Sequence, residues 1–459
     1  MSIPPRTYGA LEVKLRESLV TRTVVLPIQR FIHTQGLSSF ILLAAAIAAL
    51  IWANSPWHDS YHHVWEMQLT LSRLQLPVHE WINDALMAIF FFLVGMEIKH
   101  EIQHGELADL RRAALPFFAA IGGMVVPALL FFLLNKGQPG EHGWGIPMAT
   151  DIAFSLGVLS MVKGISPQLK IFLLSLAIVD DIGAIAVIAL FYTNGLDRPA
   201  LFAALVILAL IFILQKIGVS QKILYFVLGV AFWVAILRSG IHATVAGVIL
   251  GFMVPTARTI SINQFQELAS EIIGRFTAAI AEGDEKAAKY MLGSLEELIQ
   301  NTESPAERLT RQLEDWVSFL VLPLFALSNA GVTFSAVIMG SLLTSHLAWG
   351  ILLGLAIGKP LGICSFSWLA VKCRLARLPE RIVWRQVFAI GVLAGIGFTV
   401  SIFISSLAFD DLSLLPVAKT AVLAASLLAG VGGYFALRVG SGSAEDLTQA
   451  LQPGTVQEK

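Results

Sequence analysis

Four charged side chains, Asp151, Asp180, Asp181 and Lys359, fall within stretches that are otherwise long apolar runs. A charge at the bilayer centre costs about 2.5–3.5 kcal/mol on insertion scales, so such residues mark ion or proton pathways. Carboxylates supply the hard oxygen ligands that alkali and alkaline-earth cations prefer, and they also bind protons. The first chemistry to consider is therefore the passage of an ion or a proton.

The strongest constellation is Leu176-Ala-Ile-Val-Asp180-Asp181-Ile-Gly-Ala. Neighbouring helical residues point about 100° apart, so one carboxylate can meet a cation while the other meets a second helix. Two carboxylates this close resist ionising together, so the pair is suited to holding a proton. Apolar residues would pack there without the desolvation cost, which argues against a packing role. Lys359, in Leu355-Ala-Ile-Gly358-Lys359-Pro360-Leu361-Gly362, needs a partner, and Asp151, Asp180 and Asp181 all qualify. It is either a structural ion pair or a group that exchanges its proton as its partner changes. Thr150 and Asp151 follow Pro147. They read either as oxygen ligands beside an unwound helix or as a helix cap.

A fourth stretch, Gly391-Val-Leu-Ala-Gly395-Ile-Gly397-Phe-Thr399-Val-Ser401, interrupts an apolar span with glycines and hydroxyls. Glycine weakens helix, and irregular backbone is tolerated in a membrane only where it is buried in protein or lines a cavity.

These residues need spans to hold them. Apolar stretches of about 17–25 residues mark membrane helices. Twelve are expected, near 38–54, 80–101, 113–135, 145–162, 168–193, 200–216, 222–237, 241–255, 316–334, 347–371, 386–409 and 416–438. Spans 4 and 11 are both interrupted, and each is the middle of a three-span group. Such pairing points to an inverted-repeat transporter with its site at the midplane. The expected fold is an all-α polytopic membrane protein with two discontinuous crossing helices. Close helix packing is the other reading of the glycines.

Composition agrees. Of 459 residues, 56% are hydrophobic and 14% charged, against about 25% charged in soluble domains. The net charge of -1 gives no basic excess for nucleic acid. Cys364 and Cys373 make neither a disulfide framework nor a metal site. No motif asks for a cofactor, and nothing resembles a phosphate-binding loop. With the N-terminus inside, 25 of the 31 Lys and Arg residues fall on cytoplasmic segments and five on outer loops, with Lys359 in a span. That bias supports the even span count and cytoplasmic termini.

The chain divides into a leader (1–37), spans one to eight (38–255), an insert (256–315), spans nine to twelve (316–438) and a tail (439–459). Within the first block, 56–78 holds the alternating Met67-Gln-Leu-Thr-Leu-Ser-Arg-Leu-Gln-Leu76, which suggests an outer hairpin with an edge open to a second copy. The insert carries eleven acidic and six basic residues, and Ser304-Pro305-Ala306-Glu307 reads as a capping box. It is either a solvated helical linker or a regulatory element. Asp84 sits near the outer end of span 2. Glu97 and Glu101 share a face near its inner end, as interfacial charges or as a cation funnel. His242 lies at an outer boundary and reads as a satisfied boundary histidine.

Taken together, Thr150-Asp151-Ile-Ala, Ile178-Val-Asp180-Asp181-Ile-Gly-Ala, Ile357-Gly-Lys359-Pro-Leu-Gly and Gly395-Ile-Gly-Phe-Thr-Val-Ser-Ile-Phe resemble the NhaA family of bacterial sodium/proton antiporters. So do Trp81-Ile-Asn-Asp-Ala-Leu-Met-Ala and Ser239-Gly-Ile-His-Ala-Thr-Val-Ala-Gly. The resemblance runs from about residue 36 to residue 438. It implies a secondary transporter, not an enzyme, that exchanges Na+ or Li+ for H+ in the bacterial inner membrane. The exchange it implies is electrogenic, two protons per cation, with activity rising at alkaline pH. It places Asp181 as the essential cation carboxylate, Asp180 beside it and paired with Lys359, and Thr150 and Asp151 in the helix-4 break. It links Glu97 and His242 to the pH response, and it implies a homodimer held by a hairpin like 56–78. The 256–315 insert departs from the family pattern by several tens of residues. A cation channel would need a continuous pore, and paired broken helices speak for alternating access instead. A membrane aspartyl protease would have no lysine between its aspartates.

Overall fold

The computed structural model describes residues 35–450 apart from 72–73, 194, 220, 258–259, 380–381 and 410–412. Most of the leader, residues 1–34, and the end of the tail lie outside the described residues. The elements that follow are helical except for one short hairpin. In order they are α1 (Gln35–Ala53), α2 (His58–Glu66), β1 (Gln68–Leu71), β2 (Leu74–Pro77), α3 (Val78–His104) and α4 (Leu110–Asn135). A 3-10 segment (Glu141–Met148) leads into α5 (Ile152–Met161), followed by α6 (Pro167–Phe191), α7 (Arg198–Ile217), α8 (Lys222–Arg238) and α9 (Ala243–Met253). Next come α10 (Ile262–Glu282), α11 (Glu285–Thr302), α12 (Pro305–Trp316), α13 (Leu322–Asn329) and α14 (Ala336–Thr344). The chain ends with α15 (His346–Lys372), α16 (Trp384–Ala394), α17 (Phe398–Ala408) and α18 (Leu414–Ala450).

Helix occupies each of the twelve expected stretches. Among the described residues, length and composition qualify six helices as membrane spans, and nine if each bent pair counts as one. The bent pairs are α1 with α2 (115°), the 3-10 segment with α5 (40°) and α16 with α17 (46°). The other three stretches fall short of that test for physical reasons. α8 has 17 residues, α9 has 11, and the ninth is divided between polar α12, a π-turn at Val317–Val321 and α13.

Local signals set the boundaries. Ser166 accepts from the Leu169 N–H at the start of α6, with Pro167 in the first turn, where a missing N–H costs nothing. Ser304 and Glu307 form the capping box that opens α12. The alternating leucines pair across β1 and β2, Leu69 opposite Leu76 and Leu71 opposite Leu74. The insert folds as α10 and α11, turning at Gly283 (φ 73°) and packed on one another. α18 continues helical past residue 439 to Ala450.

Two backbone contacts place the elements that matter. A Cβ on Gly122 of α4 would stand 2.1 Å from the Gly362 carbonyl of α15, and the reverse substitution meets the Gly122 carbonyl at 2.0 Å. Small residues at such crossings let helices approach closely in a bilayer. This one lays α15 along α4 and brings the Lys359 stem to the side of Gly123. Gly247 and Gly251 play the same part for α9 against Ala88 and Phe92 of α3. α6 lies against α4, its buried face running Leu169, Phe172, Leu173, Leu176, Asp180, Ala184 and Ile188.

Candidate functional site

Thr150, Asp180 and Lys359, from three separate elements, converge in the interior, each fully buried. Asp180 comes from mid-α6. Lys359 follows directly on a π-turn at Gly354–Gly358 and precedes Pro360, which has no N–H to continue the ladder. π-turns of this kind occur often at functional sites. The Lys359 ammonium donates to Asp180 Oδ2 and to Thr150 Oγ1, the latter at 2.7 Å. The single Thr150 hydroxyl proton has two acceptors in reach, Asp180 Oδ2 at 2.7 Å and the Ala394 carbonyl at 2.9 Å. Of the three aspartates that qualified as partner of Lys359, the geometry selects Asp180.

Asp181 is 3% exposed. Asp180 Oδ1 and Asp181 Oδ2 are buried without a hydrogen-bond partner. Buried polar atoms are nearly always satisfied, and orphaned carboxylate oxygens are costly. Orphans on adjacent residues make a natural seat for a proton or a hard cation.

Asp151 does different work. Its Oδ1 accepts from the Phe154 N–H at 3.0 Å, capping α5. Its Oδ2 accepts from the Thr399 N–H at 3.1 Å and the Thr399 hydroxyl at 2.6 Å, in the first turn of α17. Its own N–H donates to the Ile396 carbonyl at 2.7 Å. The carboxylate thus sits at the positive ends of two helix dipoles at once. The cap expected of Asp151 is present, and it is a double one. Ser155 and Ser401 tie the same two breaks together, through the carbonyls of Leu393 (3.2 Å) and Ile146 (2.8 Å).

Asp151→Ala removes the acceptor from both caps, and the expected loss is about 2–4 kcal/mol from two caps and a buried hydroxyl. Asp151→Asn keeps one oxygen and loses less. Thermal melts in detergent decide; equal melting of the two variants would show that the double cap is not what Asp151 provides.

The profile of the family described as Na+/H+ antiporter 1 matches residues 29–437. The chain belongs to this family.

Antiporters of the family include a Na(+)/H(+) antiporter NhaA from Koribacter versatilis, 44% identical over 433 residues, covering 93% of this chain and 94% of that protein. A Na(+)/H(+) antiporter NhaA 2 from Syntrophotalea carbinolica is 43% identical, covering 90% of this chain and 96% of its own. A Na(+)/H(+) antiporter NhaA from Wolinella succinogenes is 43% identical, with 89% and 92% covered. Among solved structures, a sodium proton antiporter from Methanocaldococcus jannaschii aligns over 92% of this chain and 98% of that one at TM-score 0.44 and 14% identity. Family membership and the apolar helices make this a multi-pass membrane protein of a secondary-transporter family.

The remaining residues singled out in this antiporter-family sequence lie apart from the buried pair. Glu97, half-buried on α3, is within electrostatic range of Asp181, of Glu101 and of Glu314 on α12. Glu314 was not foreseen, because it stands in the polar insert rather than in a span. Glu101 accepts from the Glu106 N–H at 3.0 Å and so also closes the turn after α3. The His242 ring, at the start of α9, bonds the Tyr192 carbonyl through Nε2, which must carry the proton. The Asp84 carbonyl, within a π-turn at Ile82–Leu86, accepts from the Trp233 indole at 3.2 Å. One polar chain gave no sequence signal: Lys419 of α18 donates to Asn329 Oδ1 (3.2 Å), and the Asn329 amide donates to Asn83 of α3 (2.8 Å). Three isolated polar residues in three distant spans carry no spacing that would group them.

Proposed function

We propose that this chain exports Na+, or Li+, in exchange for H+ by alternating access, with cation and protons competing for Asp180 and Asp181. The relatives are named as Na(+)/H(+) antiporters, and they align with almost the whole chain. The observation that carries the reading is the pair of orphaned carboxylate oxygens on Asp180 and Asp181 beside the Lys359–Asp180 ion pair.

Asp181 is the principal cation ligand and Asp180 the second. A cation that takes up Asp180 competes with Lys359 for the same carboxylate, so cation binding and the ion pair oppose one another. The exchange is electrogenic, two protons per cation, and is driven by the proton-motive force. Thr150 and Asp151 hold the break in span 4 against that in span 11, and the two broken helices cross at the midplane of a twelve-span inverted repeat. Glu97, Glu101 and Glu314 draw cations toward the site from the cytoplasm, and Glu97 and His242 set the pH response. The protein resides in the bacterial inner membrane with both termini cytoplasmic, as the bias of Lys and Arg supports. The hairpin over 56–78 joins two copies in a homodimer, and the 256–315 insert is a cytoplasmic element.

Everted membrane vesicles with an imposed proton gradient and an internal pH dye test the reading. NaCl or LiCl collapses the gradient, and an applied membrane potential changes the rate. Cation flux without proton movement would overturn it.

A further inference from the structure

We infer that Tyr192 is a positioning residue for the exchange site, setting the place of Thr150 and Asp151 by anchoring the far end of the segment that carries them. The inference rests on the antiporter reading above. Tyr192 lies just past α6, buried, 12 residues beyond Asp180, or about 18 Å along the helix. Its hydroxyl donates to the His142 carbonyl at 2.8 Å and accepts from the buried Gly145 N–H at 3.1 Å. Both belong to the 3-10 segment Glu141–Met148, which runs directly into Ala149, Thr150 and Asp151.

That segment is therefore pinned to α6 at two places. At one end Thr150 bonds Asp180, and at the other Tyr192 bonds His142 and Gly145. The fit at the far end is specific. A Cβ on Gly145 would stand 2.8 Å from the tyrosine oxygen, so glycine is what admits the hydroxyl. Trp144 packs edge-on against Phe191 with centroids 5.0 Å apart, and the His242 ring holds the Tyr192 carbonyl. The segment is eight residues of 3-10 geometry, a conformation with poor hydrogen bonding and little stiffness of its own. Ser401 holds the Ile146 carbonyl between the two anchors, so release at Tyr192 acts on Thr150 through the last residues of the segment.

The test is Tyr192→Phe in the full-length protein in vesicles, with Na+ dependence measured over a range of pH. Removal of the hydroxyl leaves a buried Gly145 N–H unsatisfied, and the expected result is an Na+ KM raised about tenfold with kcat within about twofold. A role in folding alone would lower the amount of protein and the maximal rate and leave KM where it was. Gly145→Ala, which keeps the tyrosine and displaces the segment, carries the same expectation should the phenylalanine variant fail to accumulate. Thr193→Ala, which loses only a bond to the Ala189 carbonyl in the same turn, leaves KM unchanged. An unmoved KM in Tyr192→Phe or Gly145→Ala overturns the inference. Wild-type exchange and its dependence on Asp181 test the antiporter reading separately, so the two failures are distinguishable.

Discussion

Asp181→Asn abolishes Na+- and Li+-driven proton movement in vesicles while the protein still accumulates in the membrane. The substitution keeps the size and most of the shape of the side chain. It removes the negative charge that a cation needs and the proton that is exchanged for it. Asp181 makes no ion pair among the described residues, and its Oδ2 has no partner. The fold therefore loses little, and the asparagine relieves a buried charge. Activity and stability should separate: exchange falls to the level of vesicles lacking the protein, and the melting midpoint stays or rises. Residual exchange in this variant would show that Asp181 is not the principal ligand.

Asp180 behaves in the opposite way, because its charge is spent on Lys359. Asp180→Asn leaves an ammonium buried at the junction of α6 and α15 hydrogen-bonded to neutral groups alone, with Asp181 in electrostatic range but not bonded to it. Lys359→Met leaves the carboxylate without its cation. Loss of one member of a buried pair costs about 3–5 kcal/mol, whereas exchange of both for uncharged groups is often neutral. Each single variant should melt well below the wild type, and the Asp180→Asn/Lys359→Met double variant should recover most of the loss. A double-mutant cycle on purified protein gives the coupling directly. Additive losses would mean that the pair is held by its surroundings rather than by its own attraction.

These expectations trace back unevenly to the sequence. The twelve apolar windows each hold helix, because exclusion from water acts on a whole window and is readable in composition. Asp180 and Asp181 stood out for the same reason, as charges where a window should be apolar. Which aspartate meets Lys359 is not readable from hydropathy, since a window carries no information about partners five spans away; only the family resemblance points to Asp180. Thr399 registered only as a hydroxyl in a glycine-rich interruption, and its bond to Asp151 comes from two breaks meeting in space. The π-turns at Ile82–Leu86, Val317–Val321 and Gly354–Gly358 left no pattern, as a one-residue widening barely alters the 3.6-residue period. The shortfall in α9 arises because its 11 residues rely on Gly247 and Gly251 to sit deep against α3. Contact there compensates for length in a way that a window average does not register.

The double cap on Asp151 has a mechanical consequence. One carboxylate terminates two helices whose sequences are some 250 residues apart, and its backbone is clasped to Ile396. A joint of this kind removes relative freedom. Neither half-helix can slide or tilt without dragging the other or exposing several bare donors in the protein interior. The two interruptions therefore act as a single rigid axle, and whatever motion the protein makes in its working cycle must turn about that axle rather than within it.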